Sequence, residues 1–236
     1  MLDLIIKNGQ CYIDGQLKEV NVAVKDGKIH KIGEITDEAK ETINAEGQTV
    51  LPGCIDTQTH FREPGSTDTE DLHSGSRAAV AGGITSVFEM PNTNPPTSNM
   101  KEFQRKIDLA KNRMYCNYAF YFGATADNAD DLASLEGLEG CCGIKLFAGS
   151  STGNLLVAEE DDIDKVFQNA SKVVAVHSED EAILNMNKKL IKQGDVHTHP
   201  VWRSVECAIS SMKRIVRIDE KYKKRAHVLH VTTKDE

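Results

Sequence analysis

The chain has 236 residues, and 28 Lys plus Arg against 36 Asp plus Glu leave a formal charge of −8, a balance that nucleic-acid phosphates and anionic membrane surfaces would repel. No apolar run approaches the ~18–20 residues of a membrane span, and the start, Met1 to Lys7, lacks a basic segment followed by a long apolar stretch. The expectation is a soluble, cytoplasmic α/β protein: one large domain, or a barrel-sized domain cut short with a small one attached.

Residues 1–50 read as a compact all-β segment. Leu2, Leu4 and Ile6 alternate, Val20, Val22 and Val24 alternate, and Asp26-Gly27 stands before Lys28-Ile29 as a hairpin signal. From residue 51 onward the texture becomes strand followed by helix. Apolar strand candidates start near Cys54, Ile84, Cys116, Gly143, Val173 and Ala226, about 30 residues apart except before the last, which is the rhythm of parallel βαβ units.

Between the strands lie helical patterns. Met100, Phe103, Ile107, Ala110 and Met114 form a 3.6-period stripe with Ser98 as a candidate cap, and Ser178 with Glu181 has a capping-box pattern ahead of Ile183, Leu184 and Leu190. The acidic run Glu159 to Asp164 reads as a solvated helix start. No Gly-x-Gly-x-x-Gly follows the first strand, which argues against dinucleotide binding. Six cysteines without a Cys-x-x-Cys read as reduced, mostly buried thiols. Cys141 and Cys142 should point to opposite faces of a strand, which argues against a shared metal.

The informative polar residues fall at strand ends. His60 ends the first barrel-type strand, Asn92 follows the second, Lys145 sits inside the fourth, His177 ends the fifth and His230 lies near the end of the sixth. In a parallel barrel all these ends open on one rim, so residues far apart in sequence meet at one site. Taken singly, His177 could be a core histidine and Asn92 a turn residue in Pro-Asn-Thr-Asn-Pro-Pro. Lys145 is harder to explain, because in Gly-Ile-Lys-Leu-Phe it is flanked by apolar residues, and a buried ammonium is costly unless paired or neutralised. The remaining histidines, His30, His73, His197 and His199, have polar or loop contexts that suit exposure, and only one of His227 and His230 can face the site.

These residues also lie in motifs that resemble the dihydroorotases, metal-dependent cyclic amidohydrolases of pyrimidine synthesis. The motifs are Gly-Cys-Ile-Asp-Thr-Gln-Thr-His-Phe-Arg-Glu-Pro-Gly (53–65), Glu-Met-Pro-Asn-Thr-Asn-Pro-Pro-Thr (89–97), Gly-Ile-Lys-Leu-Phe (143–147), Val-His-Ser-Glu (176–179) and His-Val-Leu-His-Val-Thr-Thr (227–233). The resemblance implies an incomplete (β/α)8 TIM-type barrel of about six βα units over 51–236, with residues 1–50 as part of a small β-sandwich. It implies a divalent metal centre, usually of two zinc ions, to which His60, Lys145, His177 and His230 contribute, Lys145 as a carbamate. Arg62 and Asn92 match the residues that grip the substrate carboxylate, a task that suits the planar fork of arginine. The implied reaction interconverts N-carbamoyl-L-aspartate and L-dihydroorotate.

Two features depart from that pattern. Gln58 stands where a first metal-binding histidine is expected, and a carboxamide is a weak oxygen donor. The proton-shuttling aspartate and the last two strands are expected beyond residue 236, so this portion alone is expected to be inactive. The alternative readings are a non-catalytic dihydroorotase-like partner of aspartate carbamoyltransferase and, third, a hydantoinase or allantoinase, disfavoured by Arg62 and the Asn92 motif. The expected partners are a small-molecule substrate, with no nucleic acid and no membrane; a homodimer and an aspartate carbamoyltransferase complex are the protein partners that this resemblance admits.

Overall fold

The computed structural model describes residues 1–151 and 153–236. Packing divides the chain into two units, Met1–Cys54 and Ile55–Glu236.

The first unit holds seven strands: β1 (Leu2–Lys7), β2 (Gln10–Ile13), β3 (Gln16–Glu19), β4 (Asn21–Lys25), β5 (Lys28–Gly33), β6 (Ala39–Asn44) and β7 (Thr49–Val50). They form a four-stranded sheet of order β5-β4-β1-β6 and a three-stranded sheet of order β3-β2-β7. The Asp26-Gly27 hairpin joins β4 to β5, with both turn residues at positive φ, 52° and 71°, as a tight primed turn requires. The alternation read in β1 is not the burial observed. Leu2 and Ile5 are its buried residues, packed with Ala23 and Ile35, while Leu4 and Ile6 are half-buried.

The second unit is built on β8 (Cys54–Thr59), β9 (Ile84–Glu89), β10 (Asn117–Gly123), β11 (Cys141–Phe147), β12 (Val173–His177) and β13 (Arg225–Val228). They form one six-stranded sheet in strictly sequential order, and its registered pairs are parallel. Sequential order is that of a barrel arc and not of a doubly wound sheet, whose strand order reverses. The helices are α1 (Leu72–Ala81), α2 (Met100–Ala110), α3 (Leu132–Leu135), α4 (Glu160–Asn169), α5 (Glu181–Asn187), α6 (His199–Trp202) and α7 (Val205–Tyr222). The long connection before β13 carries the last three.

Side chains alternate across this sheet. Val87, Phe120, Phe122, Ile144, Leu146, Val174 and Val176 point outward into the main core, where they meet Phe103 of α2, Ile163 and Phe167 of α4 and Ile215 of α7. A smaller cluster of Met90, Tyr121, Ala175 and Leu229 lies on the other face, with Phe88 and Val173 against it. One irregularity decides the phase of β11. Phe120 pairs with Cys141 but Tyr121 with Gly143, so an extra residue is accommodated there. This bulge shifts the pleat by one residue, and both Cys142 and Lys145 then face inward, while Cys141 and Ile144 join the outer core.

The caps differ from the sequence expectation. Asn99, not Ser98, caps α2 by accepting from Glu102 N–H, and Asp180, not Ser178, caps α5 by accepting from Ala182 and Ile183 N–H. A carboxylate or carboxamide next to the first helical residue reaches those donors, whereas Ser178 Oγ donates instead to Ser211 Oγ at 2.9 Å. The acidic start of α4 is only partly solvated, because Glu160 pairs with Arg217 at 2.6 Å and Asp164 with Lys221 at 2.9 Å across to α7. Among the described residues no helix is long and apolar enough to cross a membrane.

Candidate active site

The C-terminal ends of the strands surround a cavity of about 300 Å³ lined by Gln58, His60, Arg62, Asn92, Lys145, Phe147, Ser150, His177, Arg203 and His230. Every residue singled out by sequence is in that lining. Gln58 and His60 share a face because they are two apart along β8 and its continuation. His177 ends β12, and His230 lies two residues beyond β13.

The loops that follow the strands are held against one another. Gly65, at φ +123°, lies so close to the second loop that a Cβ there would meet Asn94 Cβ at 2.8 Å. Asn94 N–H donates to Pro64 O at 2.9 Å, so the segments carrying Arg62 and Asn92 form one packed unit. Glu63 anchors that unit from behind, taking Arg113 in a two-pronged ion pair at 2.8 and 3.2 Å and Leu72 N–H at the start of α1 at 2.9 Å. On the opposite side, a Cβ on Gly149 would meet Glu179 O at 2.5 Å, which fixes the loop after β11 on the loop after β12. Arg62, Ser150 and His230 have left-handed backbones, with φ of 62°, 49° and 38°. Such conformations persist where the surroundings over-determine them, and they gather at functional sites.

His60 Nδ1 lies 2.9 Å from Asn92 Oδ1. A carboxamide oxygen only accepts, so Nδ1–H is the donor and Nε2 keeps a bare lone pair. Loss of water around the ring, then the nearby Arg62 charge, push His60 down to about 4 despite the Asn92 bond. It is a neutral imidazole at ordinary pH. Because Asn92 Oδ1 is occupied, its amide N–H groups are left to donate elsewhere.

Lys145 is 1% exposed and has no acidic partner among the described residues. Its Nζ donates to Leu146 O at 3.1 Å and lies 4.0 Å from the centre of the Phe147 ring. Burial drives its pKa well below the usual lysine range, the direction that favours the uncharged, nucleophilic amine.

His177 Nδ1 and His230 Nε2 are 3.0 Å apart, and His177 Nε2 lies 2.5 Å from Glu179 Oε2. The carboxylate fixes Nε2–H as a donor and leaves Nδ1 facing His230, the arrangement in which an outer carboxylate orients a metal-binding histidine. Glu179 is held in turn by Arg203 Nη2 at 2.7 Å. Burial alone would raise the Glu179 carboxyl, but the His177 hydrogen bond and the Arg203 charge outweigh it and hold it below its usual range. Two nitrogens on one tetrahedral zinc, at ~2.0–2.1 Å each, lie about 3.3 Å apart, so His177 and His230 fit a common divalent ion. Around His60 the available donors are Gln58 and Lys145, a neutral carboxamide and an amine. Among the described residues no three His, Cys, Asp or Glu side chains form a ready-made metal centre, since positions 58 and 145 carry neither type.

Glu179, Arg203, Phe147 and Ser150 were not assigned roles from sequence. Glu179 stands two residues after His177 in Val-His-Ser-Glu, a visible signal for a carboxylate partner of the imidazole. Arg203 carried none: it arrives from the turn between α6 and α7, 26 residues after His177, and only folding brings it to Glu179.

Residues 49–234 match the model of the amidohydrolase family. The chain is 33% identical over 99% of its length to a dihydroorotase of Methanosarcina acetivorans, of which it covers 51%. It is 32% identical over 98% of its length to an allantoinase of Escherichia coli, of which it covers 53%. The L-hydantoinase structure from Arthrobacter aurescens superposes with a TM-score of 0.90 at 28% identity, covering 98% of this chain and 53% of that one. The chain thus spans about half the length of the relatives it matches. With the open sequential sheet and a histidine-lined cavity at its strand ends, this establishes that the chain belongs to the amidohydrolase family.

Proposed function

We propose that this chain carries the metal-binding and carboxylate-binding half of a dihydroorotase site, for the reversible opening of L-dihydroorotate to N-carbamoyl-L-aspartate in pyrimidine synthesis. The observation that carries the reading is that Arg62 and Asn92 line the same small cavity as His60, Lys145, His177 and His230. A cyclic amide bearing a ring carboxylate is what such a cavity suits.

In this reading Arg62 takes the carboxylate through its guanidinium fork, and Asn92, its Oδ1 occupied by His60, donates its amide N–H to the same group. Together they orient the ring so that its amide carbonyl faces the histidines. His177 and His230 would hold one divalent ion, and imidazole donors suit zinc. Addition of CO2 to the neutral Lys145 amine, forming an N–C bond with loss of one proton, would give the carbamate that supplies the anionic oxygens this donor set lacks. The second position, at His60 and Gln58, is the weaker of the two. When bound, the metal supplies Lewis acidity and a hydroxide at neutral pH. Glu179 and Arg203 keep the His177 ring in the tautomer and orientation that binding requires.

The near-equal identity to an allantoinase supports a second reading, ring opening of a cyclic ureide. Neither hydantoin nor allantoin offers a ring carboxylate to Arg62 and Asn92, and that is why dihydroorotate is preferred. A non-catalytic role beside aspartate carbamoyltransferase draws support only from Gln58. Assaying the intact protein on dihydroorotate, allantoin and hydantoin separates these readings: preference for dihydroorotate is expected, preference for a ureide would favour the second, and inactivity towards all three the last.

A further inference from the structure

Directly behind the carboxylate grip lies an ion pair in the main core. Glu89 ends β9, Lys106 stands in α2, and both side chains are fully buried and paired with each other. Glu89 Oε1 accepts the Phe61 N–H at 3.3 Å, and Lys106 Nζ donates to Met90 O at 2.8 Å. The Phe61 amide stands between His60 and Arg62, and the Met90 carbonyl is two residues before Asn92. A third bond, Met90 N–H to Thr59 O at 3.0 Å, closes the same patch of backbone.

We propose that Glu89 and Lys106 are positioning residues that hold the His60–Arg62 segment and the Asn92 segment in register, so that one buried pair sets the spacing of the substrate grip. The inference rests on the reading of Arg62 and Asn92 as carboxylate-binding residues. Stability alone does not call for this pair. Burying two charges costs desolvation, and apolar replacements of buried pairs are often neutral or stabilising. Here burial pushes the Glu89 carboxyl up and the Lys106 amine down, each against the opposing pull of its partner. What Leu and Met could not supply is an acceptor for the buried Phe61 N–H and a donor for the Met90 carbonyl. Arg62 adds a reason for a firm anchor: its left-handed backbone, φ 62°, begins one residue after the Phe61 amide.

The test compares double variants of the intact protein. Glu89→Gln with Lys106→Gln keeps an acceptor and a donor without charge, whereas Glu89→Leu with Lys106→Met removes both. The readouts are zinc content, KM and kcat for L-dihydroorotate, and the nitrogen NMR shifts of the His60 ring, which report whether Nδ1 carries the proton. The apolar variant is expected to raise KM roughly 10- to 100-fold, as small misplacements of positioning groups do, with zinc content unchanged and the Nδ1–H form of His60 lost. The Gln pair is expected to restore both. Wild-type KM and wild-type His60 shifts in a folded apolar variant would overturn the proposal. Glu89→Gln with Lys106→Met, which removes only the Met90 donor, serves if the apolar variant does not fold: a KM equal to that of the Gln pair would also overturn it. A wild-type protein inactive on dihydroorotate would instead remove the functional reading, and the substrate-free His60 shifts would still decide the positioning claim.

Discussion

His177 Nδ1 and His230 Nε2 face each other at 3.0 Å across the ends of neighbouring strands. Among the described residues no similarly matched pair stands around His60, because position 58 is Gln. The two halves of the cavity therefore differ in what they can hold. On elemental analysis of protein purified without chelator, the expected result is about one zinc per chain, held by histidines in the manner of a catalytic site. Gln58→His should strengthen the second position. Two tightly held zinc ions in the wild-type protein would contradict this.

Arg62 reaches the cavity from an exposed position. Replacing it by Met should weaken binding of a carboxylate-bearing substrate by about 1.5–3 kcal/mol, the range for hydrogen bonds to charged groups, with zinc content unchanged. Isothermal titration with N-carbamoyl-L-aspartate measures it. Loss of metal together with affinity would assign Arg62 a structural role.

Gly65→Ala tests the packing of the two loops that carry Arg62 and Asn92. A Cβ there meets Asn94, and φ is +123°, so the cost should exceed the ~1 kcal/mol typical of helix-interior glycine effects. Urea unfolding should show the lost stability, and steady-state kinetics a rise in KM larger than any fall in kcat. An alanine variant of wild-type stability and KM would mean that the loops yield without consequence.

Asp180 gives a pH-dependent prediction. Burial alone would raise its carboxyl, but the Ser210 hydroxyl at 2.7 Å, the Ile183 N–H and the Arg214 charge outweigh it, and its folded pKa lies below the ordinary 3.8. A lowered carboxylate pKa stabilises the fold above the unfolded value and loses that contribution as pH falls through the folded one. Asp180→Ala should therefore cost about 1 kcal/mol near neutral pH, the usual worth of such a cap. The difference from wild type should shrink in acid below 3.8, and Asp180→Asn should recover most of the loss. Unfolding curves at both pH values check it; a difference that does not vary with pH would show that the charge is immaterial.

The strand ends were legible in sequence because each chemistry-bearing residue sits in or beside an apolar run: Lys145 within Gly-Ile-Lys-Leu-Phe, His177 after Val-Val-Ala-Val. Their convergence followed from parallel topology alone. The bulge at Cys142–Gly143, which turns Lys145 inward, left no comparable trace, since it depends on how β10 and β11 pair. Arg203 was hidden for a similar reason, its partner Glu179 being set by the packing of loops. Lys106 was the most readable omission. It stands three residues after Phe103 in the α2 stripe, and a lysine on the buried face of a helix needs a partner, which Glu89 at the head of the second motif provides.

The most direct measurement is the ring opening of L-dihydroorotate by the zinc-loaded intact protein, run beside its Lys145→Met variant. Turnover in the wild type, at least about 100-fold lower in the variant and not restored by bicarbonate, is the expected result. Absence of dihydroorotate turnover in the wild type, or a variant as active as the wild type, would contradict the account.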